Sequence, residues 1–204
     1  MSNNTLKKAI LDNFGARSPS IVFEIPPDRL VNKEYSENLS REVFTNFEWE
    51  VFIASRDIVG RIPETPGLYM FVWKPYLTLK NISGNVDLRY ILYVGKANSH
   101  TSNLRTRFRI DYFDVIKQHP HLLWDKVDVE NREDRLRKYL NLWEIEYWFC
   151  SITNALDVEK IEKLEVELIS TLNPLINDIY TMKEIEVIKV KATAKAILQE
   201  EPPF

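Results

Sequence analysis

One stretch constrains the fold of this chain most. A short apolar run ends in a glycine and a lysine and then leads into a cationic helix. Residues 89–94 read Arg-Tyr-Ile-Leu-Tyr-Val, which predicts a strand, and Gly95 and Lys96 follow at once. Ser102 or Asn103 can cap the helix that comes next. A strand that carries a cation at its end, a loop and an arginine-bearing helix together indicate a site that handles phosphate.

Composition limits the function classes that this chain fits. Its 204 residues suit one domain or two small ones, and 45% hydrophobic residues are enough for an ordinary core. The net charge is −3, with 27 Lys+Arg against 30 Asp+Glu, so any nucleic-acid binding must come from a local patch. The lack of a signal core and of a long apolar run predicts a cytoplasmic protein with no membrane partner.

Cysteine and histidine content argues against two kinds of site. Cys150 is the only cysteine, which excludes an internal disulfide and a cysteine-based zinc site. The three histidines, His100, His119 and His121, are too scattered for a zinc site, although His100 remains a possible accessory group.

Local patterns predict the order of the secondary-structure elements. Strands are expected at residues 20–25, 48–53, 68–73, 89–94, 143–152 and 187–190, and helices at residues 4–14, 38–47, 131–141 and 157–172. The polar connection between the third and fourth of these strands predicts an antiparallel hairpin with a long tip. We divide the chain into an α+β N-terminal extension packed on the core (1–60), a main domain (61–180) and a C-terminal strand or helix with a tail (181–204).

The helix expected at residues 157–172 carries a carboxylate on its apolar face. At about 100° per residue, Glu165 falls within the arc of Ile161, Leu164 and Leu168, whereas Glu167 falls outside it. An ionised carboxylate in a core is costly unless it is paired or binds a metal. Two interpretations stay open. One is a salt bridge with an arginine or an exposed helix end, and the other is a ligand for Mg²⁺, which commonly takes one or two protein carboxylates.

The arginines of the preceding helix also have two interpretations. Arg107 lies at the flank of the apolar face, where it either pairs with Asp111 one turn on or clamps a phosphate with its guanidinium. Arg105 and Arg109 share a more exposed side. The charged run at residues 132–138 is more typical of a solvated helix face than of a phosphate-binding patch.

Two tyrosines and a lysine are equally ambiguous when each is considered alone. Tyr69 and Tyr93 both lie on apolar strands, where a tyrosine usually packs in the core with its hydroxyl satisfied. Lys96, just past a strand, is typical of a solvated side chain. Only their combination with the helix residues points to a site.

Taken together, these residues resemble the GIY-YIG nuclease superfamily, especially the branch that contains the bacterial excision-repair incision nucleases. The first tripeptide of the family's motif reads Gly67-Leu68-Tyr69 here, and the second reads Tyr93-Val94-Gly95. The resemblance spans residues 62–177, with five elements in the family's order. The remaining matches are the helix arginine, the metal-binding glutamate and the closing asparagine: Arg107, Glu165 and Asn177.

This chain departs from the family's pattern at three places. The link from Tyr69 to Tyr93 is longer than the family's usual hairpin, which predicts an insertion, and residues 98–103 also look extended. A tyrosine often follows the helix arginine in repair members. Tyr112 is the nearest candidate, but its spacing is off by one residue, so it is assigned no role.

The resemblance implies an α+β fold with a small, mainly antiparallel three-stranded central sheet flanked by helices. The N-terminal extension and a hairpin insertion would be added to this core, and residues 61–180 would form the nuclease domain. The implied activity is metal-dependent hydrolysis of DNA phosphodiester bonds, of a restriction or repair type. The implied cofactor is Mg²⁺ (or Mn²⁺), held by Glu165.

The resemblance also implies roles for individual residues. The implied catalytic set is Tyr69, Tyr93, Lys96, Arg107, Glu165 and Asn177, and Arg105 and Arg109 would contact DNA. Tyr69 would act as general base or orient the attacking water, with its pKa lowered by positive charge from Lys96 and the metal site. Asn177 would brace the site or touch phosphate.

A second class of function stays open, which is a non-catalytic DNA-binding or interaction module on the same fold. The net charge of −3 leaves phosphate contacts to local groups of arginines, which predicts weak binding to DNA unless a homodimer or a protein partner adds surface. The N-terminal extension and the insertion before Asp87 are the candidates for target choice.

Overall fold

The computed structural model describes residues 31–177, apart from residues 83, 100, 117–131, 143, 155–157 and 159. The helix expected at residues 4–14, the strands expected at residues 20–25 and 187–190, the C-terminal tail and the three histidines lie outside these residues. Six strands are present in the part described: β1 (Trp49–Ile53), β2 (Gly67–Trp73), β3 (Thr78–Asn81), β4 (Gly84–Asp87), β5 (Tyr90–Ala97) and β6 (Ile145–Ser151).

The centre of the fold is a four-stranded antiparallel sheet with the order β1-β6-β2-β5. The α+β class is therefore confirmed, but the expected count of three strands is wrong. The extra strand is β1 from the N-terminal extension, which pairs along β6 from Trp49 opposite Cys150 to Ile53 opposite Glu146. Without β1, the backbone groups of the largely buried strand β6 would be left unpaired at an open edge.

The insertion between β2 and β5 is a hairpin of its own, as expected. Strands β3 and β4 form a separate two-stranded sheet in which Leu79 lies opposite Val86. Both side chains are about half exposed, at 51% and 46%. The hairpin is joined to the main sheet by the ion pair between Lys74 and Asp87, at 3.2 Å. Strands β2 and β5 pair from Gly67 opposite Ala97 to Trp73 opposite Tyr90, with a register shift between Phe71 and Val72.

Four α-helices surround the sheet in the described ranges: α1 (Lys33–Leu39), α2 (Leu104–Arg107), α3 (Arg132–Tyr139) and α4 (Ile161–Leu172). Helix α1 starts earlier than the expected residue 38, because the Asn32 side chain accepts a hydrogen bond from the Tyr35 amide and caps it. Helix α4 ends as expected, where Asn173 adopts a left-handed backbone with φ of 43°.

Each face of the sheet has its own apolar core. On one face, β-strand residues such as Tyr69 and Phe71 pack with Phe108 and with residues of α3. On the other, Leu68 and Met70 pack with residues of α1 and α4. Side chains alternate between the two faces along each strand, so neighbouring residues of β2 and β5 serve different cores. No helix in the described residues is both long and apolar enough to cross a membrane.

Candidate active site

The two glycines of the resemblance are required by close packing around Tyr69. Tyr69 lies opposite Gly95 in the β2–β5 pair, and its ring crosses β5 at that point. A Cβ atom added at Gly95 would lie 2.5 Å from Cζ and Oη of Tyr69. A Cβ atom at Gly67 would lie 2.0 Å from the carbonyl oxygen of Cys150. A larger residue at Gly67 would push β2 away from β6, and a larger residue at Gly95 would displace the Tyr69 ring.

Tyr69 is paired with Tyr112, and a local change in helix geometry makes this pair possible. The two hydroxyl oxygens lie 2.8 Å apart, and neither residue has exposed surface. After α2 the chain continues as a π-helical turn, Phe108–Tyr112, in which the Phe113 amide donates to the Phe108 carbonyl at 3.0 Å. A π-helical turn accommodates one extra residue. The turn places the Tyr112 hydroxyl beside that of Tyr69.

The pKa of the Tyr69 hydroxyl is raised well above its usual value. Burial is the largest cause and Tyr93 adds to it, while the hydrogen bond with Tyr112 and the charge of Arg107 lower the pKa by less. The expectation that positive charge from Lys96 lowers this pKa is therefore not met. The charge that acts on Tyr69 comes from Arg107, and burial outweighs it.

Tyr93 is held by an arginine that the sequence did not single out. Arg132, at the start of α3, donates from Nη2 to the Tyr93 hydroxyl at 2.6 Å. Its guanidinium carbon also lies 5.2 Å from the centre of the Tyr93 ring. Within the charged run of α3, Arg132 therefore points toward the site, whereas Arg137 pairs with Glu133 on the surface.

Arg107 is partly exposed, with 36% of its side chain accessible, and it pairs with Asp111 at 3.0 Å. This is the structural interpretation that the sequence allowed, and it leaves the guanidinium open to solvent. Its Nε atom is buried without a hydrogen-bond partner among the described residues, as is the hydroxyl of Tyr147. Both orphaned groups lie at the site, and the charge of Arg107 lowers the pKa of Tyr147, although burial raises it by more.

Glu165 forms an internal salt bridge, but its partner is a lysine rather than an arginine. Lys96 Nζ lies 3.0 Å from Glu165 Oε2 and also 3.0 Å from Glu162 Oε1. The Glu165 side chain is only 12% exposed. Burial raises its pKa, while Lys96 and, more weakly, Arg107 lower it. Of the two interpretations of Lys96, the simply solvated side chain does not fit these ion pairs.

Asn177 braces β5 rather than facing open space. Its side-chain oxygen accepts from the Val94 amide, and its Nδ2 donates to the Val94 carbonyl, each at 2.9 Å. The side-chain amide thus satisfies backbone groups on the outer side of an edge strand, as a neighbouring strand would. Of the two roles implied for Asn177, bracing is the one that fits these contacts.

The two arginines expected to contact DNA differ in the structure. Arg105 donates to the Ile62 carbonyl and to the Glu64 carboxylate, each at 2.6 Å, and so ties the loop before β2 to α2. This use of Arg105 was not expected from its sequence position. Arg109 is exposed at the surface.

The candidate residues lie on both faces of the sheet. Tyr69 and Tyr93 belong to the core under α3. Lys96 lies opposite Leu68, which belongs to the other core, and so faces α4 and Glu165. Arg107 connects the two groups electrostatically, because its charge lowers the pKa of both Tyr69 and Glu165.

The oxygen ligands near Lys96 fit a hard divalent cation. Two carboxylates, Glu162 and Glu165, share one ammonium, which leaves an excess of negative charge. Among the described residues no group of three or more His, Cys, Asp or Glu side chains is arranged around a common point. Mg²⁺ needs only one or two carboxylates and keeps its waters, so Glu165, with Glu162 beside it, is compatible with such an ion.

Four residues of the site were not predicted from the sequence, namely Tyr112, Arg132, Glu162 and Tyr147. Glu162 precedes Glu165 by three positions on α4, a spacing that places both on one face, so the sequence did contain a signal for it. Tyr147 lies in an apolar strand and Arg132 in a charged helix, where nothing in the local pattern separates them from their neighbours.

Comparisons with known proteins identified no relative of this chain. No protein-family model, no curated protein and no solved structure matches the chain. The proposed function therefore rests on the residues and contacts of the site.

Proposed function

We propose that the protein is a metal-dependent DNA endonuclease with a GIY-YIG-type core, which hydrolyses phosphodiester bonds at the site around Arg107. The observation that carries this proposal is the position of Arg107. Its partly exposed guanidinium acts electrostatically on both a buried tyrosine, Tyr69, and a buried carboxylate, Glu165. A cation whose charge acts on both a phenol and a carboxylate suits a reaction at a phosphate.

In this proposal Arg107 binds the scissile phosphate. A guanidinium matches the geometry of phosphate oxygens and stays charged at all relevant pH values. Its present partner, Asp111, is one turn away, and this partly exposed pair is weak enough to be exchanged for a phosphate. Arg107 would then stabilise the negative charge that builds up on the phosphate during hydrolysis.

Glu165 would hold the divalent cation, with Mg²⁺ as the best match to its oxygen ligand. When bound, Mg²⁺ would polarise a phosphate oxygen and stabilise the leaving 3′ oxygen. The chain's own contribution is to keep Glu165 ionised despite its burial, which Lys96 and Arg107 both favour.

Tyr69 would act as a neutral hydrogen-bonding group. Its raised pKa argues against a phenolate base at neutral pH. Tyr93, which Arg132 holds in place, would orient the attacking water, and the buried Tyr69–Tyr112 pair would position the Tyr93 ring that packs against it. Asn177 would keep β5, and with it Tyr93 and Lys96, in register with this pair.

One observation favours the second candidate, a non-catalytic DNA-binding module. The Tyr69 hydroxyl has no exposed surface, and its hydrogen bond is made to Tyr112. A module that binds DNA without cleaving it has no need for the Tyr69 hydroxyl to reach a water or a phosphate, so this hydroxyl could stay buried. The two candidates make different demands on Arg107, because a module needs it for affinity alone and an enzyme needs it for rate.

The deciding experiment incubates the protein with duplex, single-stranded and branched DNA, in the presence of Mg²⁺ or of a chelator. The enzyme proposal predicts cleavage of at least one substrate with Mg²⁺ and none with chelator. It also predicts that Arg107→Ala lowers the cleavage rate at saturating DNA. Binding to DNA without metal-dependent cutting of any substrate would instead establish the module.

A further inference from the structure

Lys96, Glu162 and Glu165 form an ion-pair cluster between β5 and α4. The Lys96 ammonium lies at equal distance, 3.0 Å, from an oxygen of each carboxylate. The two carboxylates differ in their surroundings, since the Glu162 side chain is 73% exposed and the Glu165 side chain is 12% exposed. One ammonium is therefore shared between a solvated partner and a buried partner on the same helix face.

A divalent cation and the Lys96 ammonium compete for the Glu165 carboxylate, since Lys96 already contacts its Oε2 atom. Two positive charges within a few ångströms of one carboxylate repel each other, and water screens this repulsion only weakly where the carboxylate is largely buried. Binding of a cation to Glu165 therefore favours release of Lys96 from this carboxylate. Glu162 is a partner that Lys96 already contacts, so the ammonium keeps one ion pair when it leaves the other.

We propose that Lys96 is a built-in competitor for the cation at Glu165, and that Glu162 is the position to which its ammonium moves when the cation binds. This inference rests on the proposed function, because it takes Glu165 as the metal ligand. Glu162 is thus a positioning residue, which acts on the metal site through Lys96. When no cation is bound, the Lys96 ammonium neutralises the Glu165 carboxylate. When a cation is bound, the ammonium stays paired with Glu162 at the edge of the site.

The test measures Mn²⁺ binding to the full chain in the absence of DNA, from the electron paramagnetic resonance signal of free Mn²⁺. Lys96→Met keeps the length of the side chain and removes the competing charge. It is expected to tighten Mn²⁺ binding by about tenfold, the effect that a charge within about 4–6 Å has on an ionisation equilibrium. Glu162→Gln is expected to weaken binding, because Lys96 then has only Glu165 as a partner.

A double-mutant cycle separates this mechanism from a general effect of charge. If Glu162 acts through Lys96, Glu162→Gln weakens Mn²⁺ binding in the native chain but has little effect in the Lys96→Met background. If Glu162 instead attracts Mn²⁺ through its own negative charge, or binds the ion directly, Glu162→Gln weakens Mn²⁺ binding equally in the native chain and in the Lys96→Met background. That second result would overturn the role proposed for Glu162.

Two further variants test the metal site at Glu165, on which the proposed function depends, separately from the competition by Lys96. Glu165→Gln should abolish Mn²⁺ binding, whereas Glu167→Gln, which removes a carboxylate paired with Lys163 on the same helix, should leave it unchanged. No binding by the native chain, or unchanged binding by Glu165→Gln, would contradict the metal site itself. Loss of binding in Glu165→Gln, combined with unchanged or weaker binding in Lys96→Met, would overturn the competition alone.

Discussion

The hydroxyl oxygens of Tyr69 and Tyr112 lie 2.8 Å apart in the interior of the protein, on strand β2 and on the π-helical turn that follows α2. Each phenol is the hydrogen-bond partner of the other in a place that water does not reach. This pair fixes the position of the turn relative to the sheet. It also places two polar groups next to Arg107.

Removing one hydroxyl of this pair should cost more than removing both. Tyr112→Phe removes the hydrogen-bond partner that lies 2.8 Å from the buried Tyr69 hydroxyl, which costs about 1–3 kcal/mol of unfolding free energy. Tyr69→Phe should have the same effect for the same reason. The double variant, with both partners apolar, should recover most of the loss. Urea unfolding of the four proteins measures this, and equal, additive losses would show that the two hydroxyls are not paired.

Gly95→Ala should destabilise the protein. The added methyl group would lie 2.5 Å from the Tyr69 ring, and overpacking of a core of this kind costs about 1–3 kcal/mol. Gly60→Ala is the matched control, because a Cβ atom there has no neighbour within 4 Å. Thermal unfolding should show a lower midpoint for Gly95→Ala alone. A native midpoint for Gly95→Ala would mean that Tyr69 does not cross β5.

Tyr147→Phe should leave the free energy of unfolding unchanged or raise it by about 1 kcal/mol. The Tyr147 hydroxyl is buried with no hydrogen-bond partner among the described residues, so its removal relieves a desolvation cost. Chemical denaturation at fixed pH measures the change. A loss of about 1 kcal/mol or more would instead show that a buried water satisfies this hydroxyl.

The Cys150 thiol should be unreactive in the folded protein near neutral pH. Burial raises its pKa to about 12, and only the thiolate reacts with thiol reagents. At neutral pH the thiolate is therefore scarce, and its fraction rises only as the pH approaches the raised pKa. Labelling with a chromogenic disulfide should be slow in buffer and fast in guanidinium chloride. Rapid labelling of the native chain would contradict the burial of β6.

The main strands could be predicted because their signal is local. Residues 68–73 and 145–151 form uninterrupted or nearly uninterrupted apolar runs, and such runs are buried wherever the chain places them. The pairing of β1 with β6 could not be predicted from a local apolar run. Glu50, Val51 and Ile53 are exposed, and β1 has no continuous apolar face. Its place in the sheet depends on an open edge almost 100 residues away.

Site residues were predictable in identity but not in their contacts. Periodicity identified Glu165 as a carboxylate on an apolar face, yet its partner, Lys96, comes from another element. Tyr112 was assigned no role because its spacing differs by one residue from the pattern of the resemblance, and the π-helical turn that places its hydroxyl beside Tyr69 was not predicted. Arg105 seemed to be a surface cation because its partner, Glu64, lies 41 residues earlier in the chain.

The most direct test of the central claim compares the Mg²⁺-dependent DNA cleavage rate of Glu165→Gln with that of Glu167→Gln. Both variants remove one carboxylate from helix α4, but Glu165 is paired with Lys96 at the site, whereas Glu167 is paired with Lys163. The proposed function predicts loss of cleavage in Glu165→Gln, with folding retained, and a native rate in Glu167→Gln. Native Mg²⁺-dependent cleavage by Glu165→Gln would contradict the account.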